Sequence, residues 1–227
     1  MATASRRLTR KQIRQPDWFQ VTSERALEIY EGNQVKVWLG VAVVIVVLLG
    51  VWAWQAFKER QDSQASQEFS RAMILYQSGK YSEAIPAFQK VQTYRWSRYS
   101  TLAHLYEANS YFAANDIDKA ITAAQRFIAA TSPDSLYRQI GMLALAAAEE
   151  RKNQCKQAIE HYSEAERINA PLREKALLGK ARCAEQLGDA KGAIAAYKEV
   201  AKDNPGASVA LRIAELEAKS GGQRAGK

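Results

Sequence analysis

Four segments of this chain share one pattern, and their spacing restricts the possible folds more than any other feature. Their Ala-Ile pairs begin at positions 84, 120, 158 and 193, so successive segments are 36, 38 and 35 residues apart. A regular period of roughly 20 to 50 residues is typical of repeat architectures, whose units bury their apolar faces by stacking on one another. The segments are GKYSEAIPAF (79–88), NDIDKAITAA (115–124), NQCKQAIEHY (153–162) and GDAKGAIAAY (188–197).

The residue types in these segments predict pairs of helices joined by a tight turn. Gly79 and Gly188 stand where one helix ends, since glycine adopts the left-handed conformation that closes a helix. Asn115 and Asn153 occupy the same place in the other two segments, and asparagine tolerates that conformation.

Small residues recur where the two helices of each pair are expected to cross. On the second helix they are Ala84, Ala120, Ala158 and Ala193, and on the first helix Ala72, Ala108, Ala146 and Ala181. An aromatic residue follows four positions after the small residue of the second helix in three repeats, on the same helical face. These aromatic residues are Phe88, Tyr162 and Tyr197. The second repeat has Ala124 there, so its packing is expected to be looser or to be supplied by Phe127.

The run ALLGKARCAEQLGDAKGAIAAYKEVAKDNP resembles the tetratricopeptide repeat (TPR) family, with its Gly-Asp turn, its Ala-Ile-x-x-Tyr helix and its closing Asn-Pro. The resemblance implies an all-α fold, a TPR-like α-solenoid of about four helical hairpins over residues 65–219. The segment SVALRIAELEAK (208–219) is expected to be the capping helix of this solenoid. Residues 220–227, with three glycines, are expected to form a disordered tail.

An uncharged apolar run, VWLGVAVVIVVLLGVWAWQAF, precedes the repeats at residues 37–57. As a helix its 21 residues extend about 31 Å, which matches the hydrocarbon thickness of a bilayer. Its twelve Val, Leu, Ile and Phe residues favour insertion by roughly 4 to 7 kcal/mol. Lys36 and Lys58 flank the run, and Trp38, Trp52 and Trp54 lie near its ends, where indole rings suit the headgroup regions. The run predicts a single transmembrane helix.

A cleaved secretion signal is a weaker interpretation of the same run, because such signals begin near the N-terminus and end at a small-residue site. This run starts 36 residues into the chain and is followed by Lys-Glu-Arg. The predicted organisation is a basic tail (1–36), the transmembrane helix (37–57), a linker or helix continuation (58–64) and the repeat domain. In the tail, an amphipathic helix starting at Pro16 and a solvated basic segment are equally compatible with the sequence.

The charge distribution bears on partners and on orientation. The net charge of +8 is spread along the chain without a basic cluster among aromatic residues, so no nucleic-acid binding is expected. The tail has seven Lys and Arg against four Asp and Glu and is the short, basic flank of the apolar run. The positive-inside rule then favours a cytoplasmic tail and a repeat domain on the other side, although the charges nearest the run do not decide it.

The TPR pattern also implies a partner groove along the first helix of each repeat. Side chains at one end of this face are apolar and aromatic, and those at the other end are charged. The alternative is that many of these residues only serve packing. The candidate groove residues are Phe69, Met73, Tyr76, Leu105, Asn109, Phe112, Leu143, Glu150, Leu178, Arg182 and Glu185.

The chain has few residues that point to catalysis. His104 and His161 fall in different repeats and are expected to be packing residues, and no phosphate-binding loop, nucleophile elbow or HExxH motif occurs. We therefore predict no enzyme, no metal site and no cofactor. Cys155 and Cys183 fall on helices expected to be antiparallel neighbours, so either a disulfide in an oxidising compartment or two buried thiols are possible.

A short tail, one N-terminal transmembrane helix and a TPR domain together resemble the bacterial ancillary subunit of the Sec translocon, a family whose TPR domain is related to that of a cell-division coordinator. The resemblance implies a scaffold in the bacterial inner membrane, with its TPR domain in the periplasm. Its partners would be the translocon, periplasmic chaperones or exported clients. Two alternatives are a structural component of an envelope or division assembly and an import receptor with its TPR domain in the cytosol.

Overall fold

The computed structural model describes residues 34–168, 171–205 and 209–225, with side chains up to residue 219. Every regular element in these ranges is an α-helix, and none of the described residues forms a strand. This confirms the predicted all-α fold. The amphipathic helix considered for the N-terminal tail lies outside the described residues.

Helix α1 (Gln34–Gln77) contains the apolar run. It is the one helix among the described residues that is long and apolar enough to cross a membrane. The apolar side chains of the run are exposed, with Val46 at 68% and Leu48 at 62%. An exposed apolar surface of this extent is typical of a site that contacts a membrane or another protein. Residues 58–64 belong to the same helix.

The chain divides into two compact units, Met1–Phe57 and Lys58–Lys227. Helical hairpins follow one another in the second unit. Its helices after α1 are α2 (Tyr81–Gln92), α3 (Arg98–Ala113), α4 (Ile117–Ala129), α5 (Leu136–Arg151), α6 (Cys155–Arg167), α7 (Arg173–Gln186), α8 (Ala190–Asp203) and α9 (Ala210–Ala225).

Each helix from α2 onward packs against the next, and the first helices of successive repeats also touch. Helix α3 contacts α5, and α5 contacts α7, so these three first helices lie side by side. The end of α1 packs on α2 through Ala72, Ala84 and Phe88. The hairpins therefore form two layers, with the first helices in one layer and the second helices in the other.

The turn inside each hairpin has a left-handed residue. The φ angles are +73° at Gly79, +63° at Asn115, +60° at Asn153 and +75° at Gly188. At the first turn the Lys80 amide donates to the carbonyl of Leu75 over 3.0 Å, which closes a helix end that would otherwise leave its carbonyls unpaired. These turns reverse the chain within a few residues and hold the two helices antiparallel.

The repeats approach each other closely at two glycines that the repeat pattern did not single out. A Cβ at Gly141 would lie 2.7 Å from Ile128 and 2.8 Å from the Phe127 ring. A Cβ at Gly179 would overlap the ring of Tyr162. Phe127 is fully buried, so it fills the second repeat interface where Ala124 leaves room.

The C-terminal tail differs from the expectation. Helix α9 continues to Ala225, through most of the segment 220–227 that the sequence predicted to be disordered. Glycine lowers helix stability by about 1 kcal/mol relative to alanine but keeps its backbone donor, so Gly221 and Gly222 do not interrupt the hydrogen bonds. Val209 and Leu216 pack α9 against the last repeat.

Candidate protein-binding groove

Three adjoining concavities lie on the first helices of repeats two, three and four, and all three are lined by Ala147 of α5. We call them together the groove. One concavity lies between α3 and α5, beside Asn109 and Phe112. Another lies between α5 and α7, beside Leu143 and Leu178. The third has a volume of about 470 Å³ and contains more polar groups, among them Arg151 and Arg182.

The structure brings together six of the eleven candidate groove residues. They come from three helices that are far apart in the sequence but adjacent in the first layer. These six residues are Asn109, Phe112, Leu143, Glu150, Leu178 and Arg182.

The aromatic candidates of the first repeat lie instead in a packed cluster. The Phe69 ring meets the Phe88 ring at 5.7 Å and the Tyr106 ring at 5.5 Å, and Tyr76 meets Tyr106 at 5.6 Å. Met73 packs against the same cluster. Their long side chains fill the space between α1, α2 and α3, so at this end of the domain they serve packing. Leu105 is also in the core, at 8% exposure.

An ion pair joins repeats three and four at the polar end of the groove. Arg182 binds Glu150 through two hydrogen bonds of 2.8 and 2.9 Å. The Tyr162 hydroxyl donates to the same carboxylate over 2.7 Å. Burial by itself would raise the pKa of Glu150, but the hydrogen bonds from Arg182 and Tyr162 outweigh it, and the pKa is lowered. Glu150 therefore carries its charge in the groove near neutral pH.

The same arrangement recurs one repeat later. The Tyr197 hydroxyl donates to Glu185 over 2.7 Å, and Arg212 of the capping helix pairs with that carboxylate. Burial and the bond to Glu185 raise the pKa of Tyr197 to about 12, so it stays a donor. The last groove candidate, Glu185, thus ties the capping helix to the fourth repeat.

The repeat pattern did not identify Tyr162 and Tyr197 as hydrogen-bond donors, nor Arg212 as a partner. A signal exists in the spacing, because each tyrosine stands 12 residues after its glutamate. The equivalent pairs in the first two repeats are Tyr76 with Phe88 and Phe112 with Ala124. Neither pair has a carboxylate at its first position or a hydroxyl at its second, so the charged arrangement is confined to the third and fourth repeats.

A cation lies on the apolar part of the groove. The Arg151 guanidinium is 5.4 Å from the centre of the Phe112 ring and donates to the Asn115 side chain over 3.3 Å. With Arg182 largely neutralised by Glu150, Arg151 supplies an accessible positive group next to an aromatic surface. Such a surface suits a peptide segment that presents both apolar and acidic side chains.

The two histidines lie beside different carboxylates, in separate repeats. His161 is 2.7 Å from Glu149, and His104 is 3.8 Å from Glu107. Among the described residues no group of three or more His, Cys, Asp and Glu side chains is arranged to hold a metal ion. Cys155 and Cys183 are both buried and are present as thiols.

Comparison with known proteins agrees with this architecture. The model of the tetratricopeptide repeat-like domain family matches residues 28–218. The ancillary SecYEG translocon subunit of Escherichia coli (strain K12) is 28% identical over 197 residues, covering 78% of this chain and 91% of that protein.

Solved structures share the fold at low sequence identity. A structure of nearly identical TPR-like repeats from Podosopora anserina superposes with a TM-score of 0.58 at 16% identity, over 72% of this chain and 90% of that one. A thermophilic TPR protein of Thermus thermophilus gives a TM-score of 0.50 at 20% identity, over 69% of this chain and 83% of that one. These structures share the stacked helical hairpins of a TPR-like fold with this chain.

Proposed function

The chain belongs to the tetratricopeptide repeat-like domain family, and from this we propose that it is a membrane-anchored scaffold ancillary to the Sec translocon. In this proposal residues 37–57 are the transmembrane helix, residues 65–219 are the TPR domain, and the groove binds segments of partner proteins. The partners are the translocon, periplasmic chaperones or exported clients. The observation that carries the proposal is the groove itself, an open apolar and charged surface on three adjacent first helices.

The exposed apolar run supports a membrane anchor. Its apolar side chains are exposed to solvent. Insertion of these 21 residues into lipid would remove them from water. The family match begins at residue 28, upstream of the run, so the apolar segment is part of the shared domain. This supports a retained anchor over a cleaved signal.

The orientation and the compartment are also part of the proposal. The basic tail favours a cytoplasmic N-terminus and a periplasmic TPR domain in the bacterial inner membrane. The similarity to the Escherichia coli ancillary translocon subunit supports a location in the bacterial inner membrane. We propose no enzymatic activity.

Photocrosslinking in native membranes tests the groove. Benzoylphenylalanine replaces Phe112, which it resembles in shape, and a matched variant carries it at Gln125, an exposed position on the second helix α4. We expect translocon components, chaperones or exported proteins to be captured by the Phe112 variant and not by the Gln125 variant.

The identity of the captured proteins separates the proposal from its alternatives. Division or envelope assembly proteins at Phe112 would contradict the translocon role, and cytosolic precursors would indicate an import-receptor-like protein. Equal capture at Phe112 and Gln125, or none at Phe112, would contradict the groove as the binding site.

A further inference from the structure

The two cysteines of this chain lie in one buried cluster between repeats three and four. Cys155 is the first residue of α6, and Cys183 lies near the end of α7. They are 2% and 0% exposed and pack with Ala146, Ala158 and Tyr162.

The surroundings hold both thiols in place. The Cys155 thiol donates to the Gln186 side chain, with Sγ 2.9 Å from the amide oxygen. Gln186 is three residues beyond Cys183 on the same helix, so this bond keeps the start of α6 against the end of α7. Burial raises the pKa of Cys183, so this thiol remains protonated and unreactive while the fold is closed.

We propose that Cys155 and Cys183 form an intramolecular disulfide, which links repeat three to repeat four when the protein meets an oxidising partner. The bond would join α6 and α7 directly behind the Glu150–Arg182 ion pair of the groove. This inference goes beyond the scaffold role and does not depend on membrane orientation, because the bond can be formed in the purified protein.

The reaction requires a co-reactant that is itself a disulfide, either a small molecule or an oxidoreductase. Brief opening of the turn before α6 exposes Cys155, whose thiolate attacks one sulfur of that disulfide and expels the other sulfur as a thiol. While the α6–α7 contact is open, the Cys183 thiol loses its proton to solvent, and its thiolate attacks the Cys155 sulfur and expels the second thiol. The chain loses two electrons and two protons, and the co-reactant disulfide is reduced to two thiols.

The test uses the full chain purified in detergent, with oxidised glutathione as the co-reactant. After acid quenching and denaturation, free thiols are labelled with a polyethylene glycol maleimide and counted by gel shift. We expect reduced protein to take two labels and oxidised protein to take none while remaining monomeric. Peptide mapping should show the peptide of Cys155 joined to that of Cys183.

The single variants Cys155→Ala and Cys183→Ala serve as controls, because each leaves one thiol that has no partner in the chain. We expect each to remain labelled after mild oxidation or to form only a glutathione adduct. Oxidation should also raise the melting temperature of the unsubstituted chain by roughly 5 to 10 °C, since the bond constrains a loop of about 27 residues in the unfolded state. The variants should show no such rise.

Three outcomes would overturn the inference. They are two labels on the oxidised chain, glutathione adducts on both cysteines, and disulfide-linked dimers in place of the intramolecular bond. If both variants fail to fold, the label count and the peptide map of the unsubstituted chain still decide the question.

Discussion

At the scale of single residues, the groove depends on the carboxylate of Glu150 and its two donors. Glu150 is partly buried, and Arg182 and Tyr162 come from different helices, α7 and α6. Removing one donor leaves a charged group short of partners, which usually costs more than the net value of the bond itself. The two donors also depend on each other, because both position the same carboxylate.

A double-mutant cycle tests this coupling. We expect Tyr162→Phe to lower the free energy of unfolding by about 1 kcal/mol and Arg182→Gln by about 1 to 2 kcal/mol, with a coupling of at least about 0.5 kcal/mol. Tyr197→Phe with Arg182→Gln is the matched control, since Tyr197 serves Glu185. Chemical denaturation measures the unfolding free energy of each single and double variant. If the effects of Tyr162→Phe and Arg182→Gln simply add, the two residues do not share a network.

His161 gives the fold a pH dependence. Its hydrogen bond to Glu149 raises the pKa of His161 against the opposing effect of burial, and Glu164 and Glu160 add to the rise. A raised pKa in the folded state means that the stabilisation is complete below the unfolded-state pKa of about 6.5. It is then lost as pH rises through the folded-state pKa.

We therefore expect the stability difference between the unsubstituted chain and His161→Gln to be largest below about pH 6 and to shrink as the pH rises past the folded-state value. Thermal melts of both proteins over a series of pH values measure this stability difference. The control Glu149→Gln should remove most of the dependence, and a difference that stays constant with pH would contradict the ion pair.

The sequence predicted which helical face the candidate groove residues occupy, but not which of them line the groove and which pack in the core. The TPR pattern places Phe112 and Leu143 on the first helices, and the structure has them in the groove. The same pattern places Phe69 there, although its ring packs among three other aromatic rings. A pattern of positions specifies a helical face, but whether a side chain on it is open depends on the size of its neighbours in space.

At the scale of helices, the close contact between hairpins requires glycine at some positions in addition to the recurring alanines of the repeat. Gly179 of α7 lies directly against the Tyr162 ring of α6. That ring cannot turn away easily, because its hydroxyl is bonded to Glu150. The sequence pattern missed this contact, since Gly179 and Tyr162 belong to different repeats.

We predict that Gly179→Ala destabilises the domain. Overpacking costs about 1 to 3 kcal/mol, and the better helix propensity of alanine returns only about 1 kcal/mol. The same substitution in a Tyr162→Ala background is the control, because the atoms closest to the added Cβ all belong to the Tyr162 ring, and without that ring Gly179→Ala should cost little. Denaturant midpoints compare the two, and a Gly179→Ala protein at least as stable as the original would show that the helices can move apart freely.

At the scale of the whole molecule, the sequence predicts the fold well because the repeats impose it. Four similar segments, four turn residues with positive φ and a capping helix all require the same stacked arrangement. The extent of α9 was not predictable in the same way. In the sequence Gly221 and Gly222 suggest that the helix ends before them, but the helix continues through both residues. The side of the membrane on which the domain lies also remains a prediction, because charges near the apolar run are balanced.

The compartment of the TPR domain is the central claim of the proposed function, since a scaffold for exported proteins must lie outside the cytosol. Protease added to intact spheroplasts tests it, with antibodies against an epitope at the C-terminus and against a cytosolic control protein. The account predicts that the C-terminal epitope is lost while the cytosolic control and a membrane-embedded N-terminal fragment survive. An epitope that remains intact until the membrane is broken would contradict the account.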